Sequence, residues 1–360
     1  MSRIDRLAGF RTVGRAARTN PPSRFESKVN EAFCDGWPIE DDLPPLRTEV
    51  SVERPRRVIT RNSSPDIGFD QSINPYRGCE HGCIYCFARP THAFLGMSPG
   101  LDFESRLVAR PDAPEILEQE LRAKSYRPEV IAMGTNTDPY QPIEREYRIV
   151  RQILETLFEY RHPVAVVTKG TLIERDVDIL GEMGRLGLAR VGVSVTTLDA
   201  QLSRKMEPRA PSPKRRLVTI RRLAEAGCPV RVMVAPVVPA LTDHELEAIL
   251  AQAAEAGAIA ASWIMLRLPL EVSPLFQEWL AEHFPDRAQR VMGRVRELHN
   301  GRVYDPEWGR RMTGQGVFAD MIANRFSISA RRLGLETKLP PLRTDLFKRP
   351  VRVGDQLSLL

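Results

Sequence analysis

The stretch Cys79-Glu-His-Gly-Cys83-Ile-Tyr-Cys86 places three thiols within eight residues. The rest of the 360-residue chain contains only two further cysteines, Cys34 and Cys228. Gly82 lies inside the stretch and lets a short loop fold back on itself, because glycine accepts positive φ angles. Such a loop can aim three sulfurs at one centre, and thiolates select zinc, Cu(I) or iron–sulfur clusters over hard cations.

The order Cys-x3-Cys-x2-Cys supplies three ligands and no obvious fourth. Three cysteines fit a [4Fe–4S] cube with one iron left open, and an open iron can bind a substrate or cofactor directly. The alternative is a zinc site in which His81 or His92 completes a Cys3His tetrahedron. Zinc sites commonly use two separated pairs of ligands, and the chain has no second pair of this kind. The spacing therefore favours the cluster.

The same spacing, with the aromatic Tyr85 just before the third cysteine, resembles the motif of radical SAM enzymes. The resemblance implies that Cys79, Cys83 and Cys86 hold a [4Fe–4S] cluster whose free iron chelates S-adenosyl-L-methionine (SAM). One electron, from a donor such as a flavodoxin or ferredoxin, would cleave the sulfonium, and the 5′-deoxyadenosyl radical would abstract a substrate hydrogen. The cofactor carries this chemistry, while the protein binds, orients and excludes water.

The composition is that of a globular protein, with 42% hydrophobic and 27% charged residues. No run approaches the roughly 18 apolar residues of a membrane span. Five cysteines, three of them clustered, fit a reducing compartment rather than a disulfide framework. The arginine-rich first 20 residues lack the apolar core of a secretory signal; a mitochondrial transit peptide is one interpretation and a disordered basic tail the simpler one. We expect a cytoplasmic protein without membrane association.

Positive charge is concentrated near the C-terminus. The chain has a net charge of +6, whereas residues 287–360 alone contain 15 Lys and Arg against 7 Asp and Glu, or +8. Such an asymmetry is typical of a surface that faces nucleic acid. A solvated face on helices is the alternative, because charge alone supports only an electrostatic footprint.

Short β-branched runs alternate with helical patterns over residues 67–270. The runs predict six strands, at 67–75, 130–133, 164–168, 191–195, 230–235 and 261–266. The helical patterns cover 114–124, 147–161, 173–186, 213–226 and 244–256, and the last opens on a capping box, Thr242-x-x-Glu245. This alternation predicts an α/β fold with a parallel sheet of βαβ units. Six units fit the partial (β/α)6 barrel of the radical SAM type; a doubly wound sheet is the alternative.

Three regions are expected along the chain. Residues 1–66 form an extended Arg/Pro-rich N-terminal extension, and 67–270 form the radical SAM core. Residues 271–360 form a basic, mostly helical C-terminal cap, with helices predicted at 273–284, 286–298 and 314–333. This cap could cover the barrel mouth and help to choose the substrate.

Ligands of such folds bind at the C-terminal ends of the strands. After the second predicted strand come Thr135, Asn136, Thr137 and Asp138. The resemblance implies that this turn binds the methionine amino group of SAM, and an Asn/Asp-Pro turn without a ligand is the alternative. After the third strand, Lys169 could pair with the methionine carboxylate; a surface lysine is the alternative.

Four more candidates follow the fourth strand. Ser194 and Thr196 face the same side of a strand and could meet ribose hydroxyls. Glu207 and Arg209 could contact ribose and carboxylate if their Pro-rich loop folds over the mouth; prolines that only set the entry to the next helix are the alternative. No residue is assigned as catalytic, and Cys228 precedes a strand, at the opposite end from the site.

Together these stretches are similar to the branch of the superfamily that includes spore photoproduct lyase and proteins labelled DNA repair photolyases. The resemblance covers residues 67–270 and implies a nucleic acid as a possible substrate, with a peptide or small molecule as the alternative. A non-catalytic zinc- or cluster-binding protein is the hypothesis from a different class.

Overall fold

The computed structural model describes residues 14–25 and 45–351. The arginine-rich start of the chain up to residue 13, Cys34 and the last nine residues lie outside these ranges. The described chain contains a seven-stranded sheet with helices packed on it and a separate three-stranded sheet. In chain order the strands are β1 Glu49–Val52, β2 Thr60–Arg61, β3 Gln71–Ile73, β4 Tyr76–Arg77, β5 Arg106–Ala109, β6 Ile131–Met133, β7 Val164–Thr168, β8 Ala189–Ser194, β9 Val230–Val237 and β10 Ala260–Met265.

The large sheet has the order β10-β9-β8-β7-β6-β3-β2. All neighbours from β3 to β10 pair in parallel, and only β2 runs antiparallel, beside β3. The six predicted strands are therefore confirmed, in sequential order. In β7 and β9 buried residues alternate with partly exposed ones, so one face of the sheet is fully buried and the other is partly covered. The short edge strand β2 is present in the structure but was not predicted.

The sheet is curved, which favours the partial barrel over a flat doubly wound sheet. The amide of Met265, at the end of β10, donates to the carbonyl of Met312 (2.8 Å), and the amide of Gly309 donates to Asp66, in the β2–β3 connection (2.7 Å). Residues 309–312 span at most about 11 Å, whereas the outer strands of a flat seven-stranded sheet lie roughly 29 Å apart. The two edges therefore approach one another.

Eleven α-helices of the described chain connect and cover the strands. They are α1 Leu101–Ser105, α2 Ala113–Arg122, α3 Glu144–Tyr147, α4 Ile149–Glu159, α5 Val177–Arg185, α6 Ala200–Met206, α7 Pro213–Glu225, α8 Leu246–Glu255, α9 Val272–His283, α10 Pro285–Leu298 and α11 Val317–Arg332. All eight predicted helices are present, with shifts of a few residues at their ends. The first turns predicted for α5 and α8 are instead 3₁₀ helices, Thr171–Asp176 and Asp243–Glu245.

The predicted capping box of α8 was wrong. The Thr242 hydroxyl accepts from the amide of Val238 (2.9 Å) instead of capping the helix. The Glu245 carboxylate accepts from the Thr197 hydroxyl (2.6 Å) and the Leu198 amide, both in the connection after β8. The Thr242 hydroxyl thus closes a local turn and the Glu245 carboxylate makes a tertiary contact, so neither side chain caps α8.

The small sheet has the order β1-β5-β4 and was not predicted. Strand β1 belongs to the stretch expected to be extended, and it pairs in parallel with β5. Strand β4 directly precedes the cysteine loop and pairs antiparallel with β5. Part of the N-terminal region is therefore integrated into the fold beside the cysteine loop.

The C-terminal helices occupy two places. Side chains of α9 and α10 share one hydrophobic core with the cysteine loop, through Cys83, Ile84 and Tyr85. Helix α11 instead packs on the outside, where Phe326 contacts Trp263 of β10 and Arg325 pairs with Glu247 of α8. No helix in the described part of the chain is long and apolar enough to span a membrane.

The basic stretch after α11 runs under the opposite end of the barrel. The amide of Arg343 donates to Gly187 (2.9 Å), which precedes β8, and the amide of Lys348 donates to Tyr160 (2.8 Å), which precedes β7. These contacts lie at the N-terminal ends of the strands. The positive charge of residues 287–351 is thus divided between the mouth and the base of the barrel.

Candidate functional site

The cysteine loop is a tight turn whose shape depends on two glycines. Gly78 and Gly82 both have positive φ angles, of 74° and 64°. A Cβ atom at Gly82 would lie 2.6 Å from Oε2 of Glu104, and one at Gly78 would lie 2.6 Å from Leu107. Both positions therefore require glycine for the conformation and for the space.

A buried ion pair supports the loop from below. The Arg89 guanidinium donates to the carbonyls of Cys83 and Gly82 (both 3.0 Å) and pairs with Glu104; both charged side chains are fully buried. Glu104 also accepts from the amides of Ala16 (3.2 Å) and Ala17 (3.0 Å). The described N-terminal residues therefore cover the loop, and the loop's carbonyls are held by a charged donor network.

The three thiols lie close enough to influence one another's charge. Cys79 and Cys83 are buried and Cys86 is partly exposed. Burial, Asp138 and the neighbouring thiols raise the pKa of Cys79 well above its ordinary value, and burial raises the pKa of Cys83 to about 12 although Lys169 opposes this. Three neighbouring thiolates, two of them buried, need a compensating cation, so this donor set fits an iron–sulfur cluster.

The geometry does not favour a zinc site. Nε2 of His92 lies 2.9 Å from the carbonyl oxygen of Arg106, and Nδ1 of His81 lies 3.2 Å from Asp138. Within residues 14–25 and 45–351, no three His, Cys, Asp or Glu side chains converge tightly enough for a single metal ion. A cube distributes its thiolates over different irons, and the three-cysteine loop suits that wider arrangement.

Asp138 connects the turn after β6 to the cysteine loop and to β7. Its carboxylate accepts from the Thr168 hydroxyl (2.5 Å), the amides of Lys169 (2.7 Å) and Tyr140 (2.9 Å), and lies 3.2 Å from His81. Although burial opposes ionisation, His81 and the donors of Lys169 and Thr168 hold the pKa of Asp138 at about 2. Protein donors thus occupy both oxygens of this carboxylate, which acts on the site by positioning its neighbours.

Gln141 provides a second connection that sequence reasoning missed. Its carboxamide oxygen accepts from the amide of Glu80 (2.8 Å), and its nitrogen donates to the carbonyl of Gly78 (3.2 Å). The side chain is fully buried. The turn after β6 and the cysteine loop are therefore fixed relative to one another by two side chains, Asp138 and Gln141.

The three polar residues before Asp138 differ in their surroundings. The Thr137 hydroxyl is buried and donates to the carbonyl of Tyr76 (3.1 Å). The Thr135 hydroxyl and the amide of Asn136 both bond to Asn74, at 3.1–3.2 Å. The Asn136 side chain is exposed and borders a cleft of about 110 Å³. Of the three, Asn136 is the most available to a ligand.

Tyr85 and Glu207 belong to one buried network. The Glu207 carboxylate accepts from the Tyr85 hydroxyl and the Thr196 hydroxyl (2.8 Å) and pairs with Arg216. Burial opposes its ionisation, but Arg216 and Lys169 hold the pKa of Glu207 at about 2. Arg216 was not identified from the sequence, because an arginine in a helix with five basic residues is expected on a solvated face. The network therefore fixes the ring of Tyr85, which is itself a residue of the cysteine loop.

Lys169 is a free cation beside the cysteine loop. Its ammonium lies 5.7 Å from the centre of the Tyr85 ring and has no hydrogen bond or ion pair to any described residue. Burial acts to lower its pKa, but Cys83 and Glu207 outweigh this and raise it. The charged ammonium therefore faces the cysteine loop with its donors unused.

Ser194 and Arg209 complete the predicted set. The Ser194 hydroxyl donates to the carbonyl of Ala235 in the next strand (3.0 Å). Arg209 is partly exposed and pairs with Glu80 of the cysteine loop (2.9 Å), whose second oxygen is buried without a partner among the described residues. Five of the ten predicted residues are thus bonded to one another, namely Tyr85, Asp138, Lys169, Thr196 and Glu207. The other five bond to neighbouring residues of the fold.

The comparison with known families agrees with this geometry. The model of the Radical SAM superfamily matches residues 73–253, about half of the chain. The chain is 38% identical over 283 residues to the uncharacterized protein Rv2578c of Mycobacterium tuberculosis, which covers 78% of this chain and 82% of that protein. It is 26% identical over 224 residues to the uncharacterized protein MJ0683 of Methanocaldococcus jannaschii, or 62% and 80% of the two chains. The chain belongs to the Radical SAM superfamily.

Solved structures with a similar fold include spore photoproduct lyase complexed with dinucleoside spore photoproduct. The TM-score is 0.56 at 15% identity, over 80% of this chain and 81% of that one. A variant of the same enzyme with bound AdoMet and dinucleoside spore photoproduct gives a TM-score of 0.53 at 16% identity, over 80% of each chain. The predicted α/β fold of the radical SAM type is confirmed, and the protein is a radical SAM enzyme.

Proposed function

We propose that this enzyme holds a [4Fe–4S] cluster on Cys79, Cys83 and Cys86 and uses it to cleave SAM reductively. The observation that carries the proposal is the arrangement of the three thiols. They occupy one glycine-dependent loop, influence one another's pKa, and face a free ammonium at the C-terminal ends of the strands.

When bound, the cluster would pass one electron from a donor such as a flavodoxin or ferredoxin to SAM, breaking the S–C5′ bond to give methionine and a 5′-deoxyadenosyl radical that takes a substrate hydrogen. The three thiolates would ligate the irons. The chain's other residues would bind and orient the cofactor and exclude water from the reacting atoms.

Lys169 is our candidate for the methionine carboxylate. It is a free cation beside the cysteine loop, and a charge-assisted hydrogen bond to a carboxylate would use its unused donors. Asn136 and Thr135 are candidates for the amino group, because the oxygens of Asp138 are already occupied. Asp138 is therefore proposed as a positioning residue, and the same role suits the buried Thr137.

The ribose contacts are proposed for Ser194 and Thr196, whose hydroxyls can still accept a hydrogen bond. Glu207 is proposed to hold Tyr85 in place rather than to touch ribose, since Tyr85, Thr196 and Arg216 occupy its oxygens. Arg209, paired with Glu80, is proposed to border the cofactor.

The proposed substrate class is nucleic acid. Two features support it: the excess of basic residues in the C-terminal region, part of which lies on the cap helix α10, and the fold shared with an enzyme solved with a dinucleoside substrate. Helices α9 and α10 share a core with the cysteine loop and are proposed to form the cap that selects the substrate.

The test is SAM cleavage by the anaerobically reconstituted full chain. After addition of dithionite and SAM, chromatography should detect 5′-deoxyadenosine and methionine. Cys83→Ala should form neither product, whereas Cys228→Ala should form both, because Cys228 is a buried thiol just before β9, at the N-terminal ends of the strands. Absence of 5′-deoxyadenosine from a fully loaded wild-type protein would reject the proposal.

A further inference from the structure

A cleft of about 400 Å³ opens beside the barrel mouth, between the connection after β9 and the cap helix α10. It is lined by Ala240, Asp243, His244, Arg287 and Arg290. The first three follow the C-terminal end of β9, so the cleft is on the same side of the barrel as the cysteine loop. The neighbouring side chains of Val238, Leu241 and Val291 belong to the core that contains the cysteine loop.

The cleft is cationic, and its cations are free. Arg287 and Arg290 lie one turn apart on α10, both exposed, and neither has an ion pair or hydrogen bond from its side chain within the described chain. Residues spaced by three on a helix are neighbours. Asp243 is the only acid among the described residues of the lining.

The positive rim continues beyond the cleft. Lys205 of α6 is exposed, and its ammonium lies 4.9 Å from the ring of Phe284, the residue before α10. Helix α6 follows β8, so cations from the segments after β8 and from the cap face the same opening. Guanidinium groups present planar forks of donors that match phosphate oxygens, and a row of free cations fits a ligand with repeated negative charges.

We infer that this cleft binds the phosphodiester backbone of a single-stranded nucleic acid whose reacting nucleotide enters the barrel mouth. The inference rests on the proposed function and specifies where its substrate is held. A single strand suits the cleft best, because a nucleotide stacked inside a duplex must first be unpaired and flipped out before it can reach an atom within the barrel. Arg287 and Arg290 position the strand and take no part in SAM cleavage.

The chain offers a matched control. Arg331 and Arg332 are two exposed arginines at the end of α11. The strand-like segment that follows them pairs with the start of β10, where the amide of Glu336 donates to Ile259 (3.0 Å). They therefore lie near the N-terminal ends of the strands, opposite the mouth. Replacing both therefore removes the same charge from the end of the barrel that lies opposite the cleft.

The experiment measures fluorescence anisotropy of a labelled single-stranded DNA 12-mer with the reconstituted full chain, over a series of KCl concentrations. The slope of log K against log salt is negative, and loss of two phosphate contacts should reduce its magnitude by about 1.4. If the variant and wild type have the same affinity at 1 M salt, the variant should bind about 25-fold more weakly at 0.1 M. R287Q/R290Q should show this loss, R331Q/R332Q should bind like wild type, and R287K/R290K should recover most of the affinity.

If R287Q/R290Q and R331Q/R332Q lose the same affinity, the protein binds DNA by its overall charge and the inference is overturned. An unchanged slope of log K against log salt in R287Q/R290Q would overturn it as well. Cluster absorbance and 5′-deoxyadenosine formation in every variant separate the two proposals. If these persist while wild type does not bind the 12-mer, the cleft assignment fails and SAM cleavage stands. If they are absent from wild type, the proposed function fails on its own.

Discussion

The guanidinium carbon of Arg267 lies 4.0 Å from the centre of the Phe87 ring. Phe87 directly follows the third cysteine, and Arg267 follows β10, the last strand of the sheet. In a flat sheet β3 and β10 would be roughly 24 Å apart. This contact therefore depends on the curvature of the sheet and places a cation from its far edge next to the cysteine loop.

Arg267 should influence the reduction potential of the cluster. Burial lowers the pKa of Arg267, while Tyr304 and Cys86 partly restore it, so its charge and that of the Cys86 thiolate are coupled. A nearby positive charge stabilises the reduced, more negative cluster. Arg267→Met should shift the midpoint potential negative by tens of millivolts, on the order expected for one charge at an effective dielectric constant near 20.

Potentiometric titration monitored by EPR measures this shift. Arg267→Lys retains the charge and serves as the control, with a midpoint close to that of wild type. A midpoint in Arg267→Met equal to the wild-type value would show that the guanidinium does not act on the cluster.

The Arg89–Glu104 pair should be important for stability. Glu104→Gln would leave the fully buried Arg89 without its counter-ion, and breaking a buried pair in this way costs about 3–5 kcal/mol of unfolding free energy. Glu155→Gln removes an exposed partner of Arg151 and should cost less than about 1 kcal/mol. Denaturant unfolding of the two variants measures the difference, and equal losses would contradict the structural role of the buried pair.

Lys169→Met should weaken SAM binding without loss of the cluster. A hydrogen bond to a charged group contributes roughly 1.5–3 kcal/mol, so the dissociation constant for SAM should rise about 10- to 100-fold. Lys205→Met removes a rim lysine instead and should leave SAM affinity unchanged. Equilibrium dialysis with the reconstituted proteins provides both values; unaltered affinity in Lys169→Met would exclude this lysine from the SAM site.

His162 should make stability dependent on pH. The ring is fully buried, with Nε2 2.7 Å from the Tyr126 hydroxyl, and burial lowers its pKa from 6.5 to about 4. Below pH 6.5 the unfolded chain binds a proton that the folded chain does not. The contribution of His162 is therefore complete above pH 6.5 and lost as the pH falls towards 4, by about 3 kcal/mol.

Urea unfolding at several pH values tests this linkage. His162→Gln should be less stable at neutral pH and should lose less stability than wild type between pH 6.5 and 4. Parallel pH profiles of the two proteins would show that the ring does not titrate as its burial indicates.

The sequence predicted the parallel sheet well, because each buried strand is a short β-branched run followed by an amphipathic helix. It did not predict β1, β4 and β5, which are short strands whose pairing partners lie far apart in the chain. The basic tail gave no sign of its position under β7 and β8, since Arg343 and Lys348 use backbone amides for these contacts.

The sequence predicted where the candidate site lies better than it predicted the role of each residue in it. Cysteine spacing and strand ends identified the loop and the residues around it. The partners of those residues depend on tertiary packing: Arg216 reaches Glu207 from a helix that is basic along its length, and Gln141 reaches Gly78 from a turn. No spacing rule connects such pairs, so the sequence could not distinguish a ligand-binding carboxylate from a positioning one.

We propose that the three-cysteine loop leaves one iron of the cluster open, and EPR of the reduced, reconstituted protein with and without SAM tests this claim most directly. We predict an S = 1/2 signal in wild type and in Cys228→Ala whose g values shift when SAM is added, and no such signal in Cys83→Ala. A signal indifferent to SAM, or a wild-type protein that takes up zinc in place of iron and sulfide, would contradict the claim.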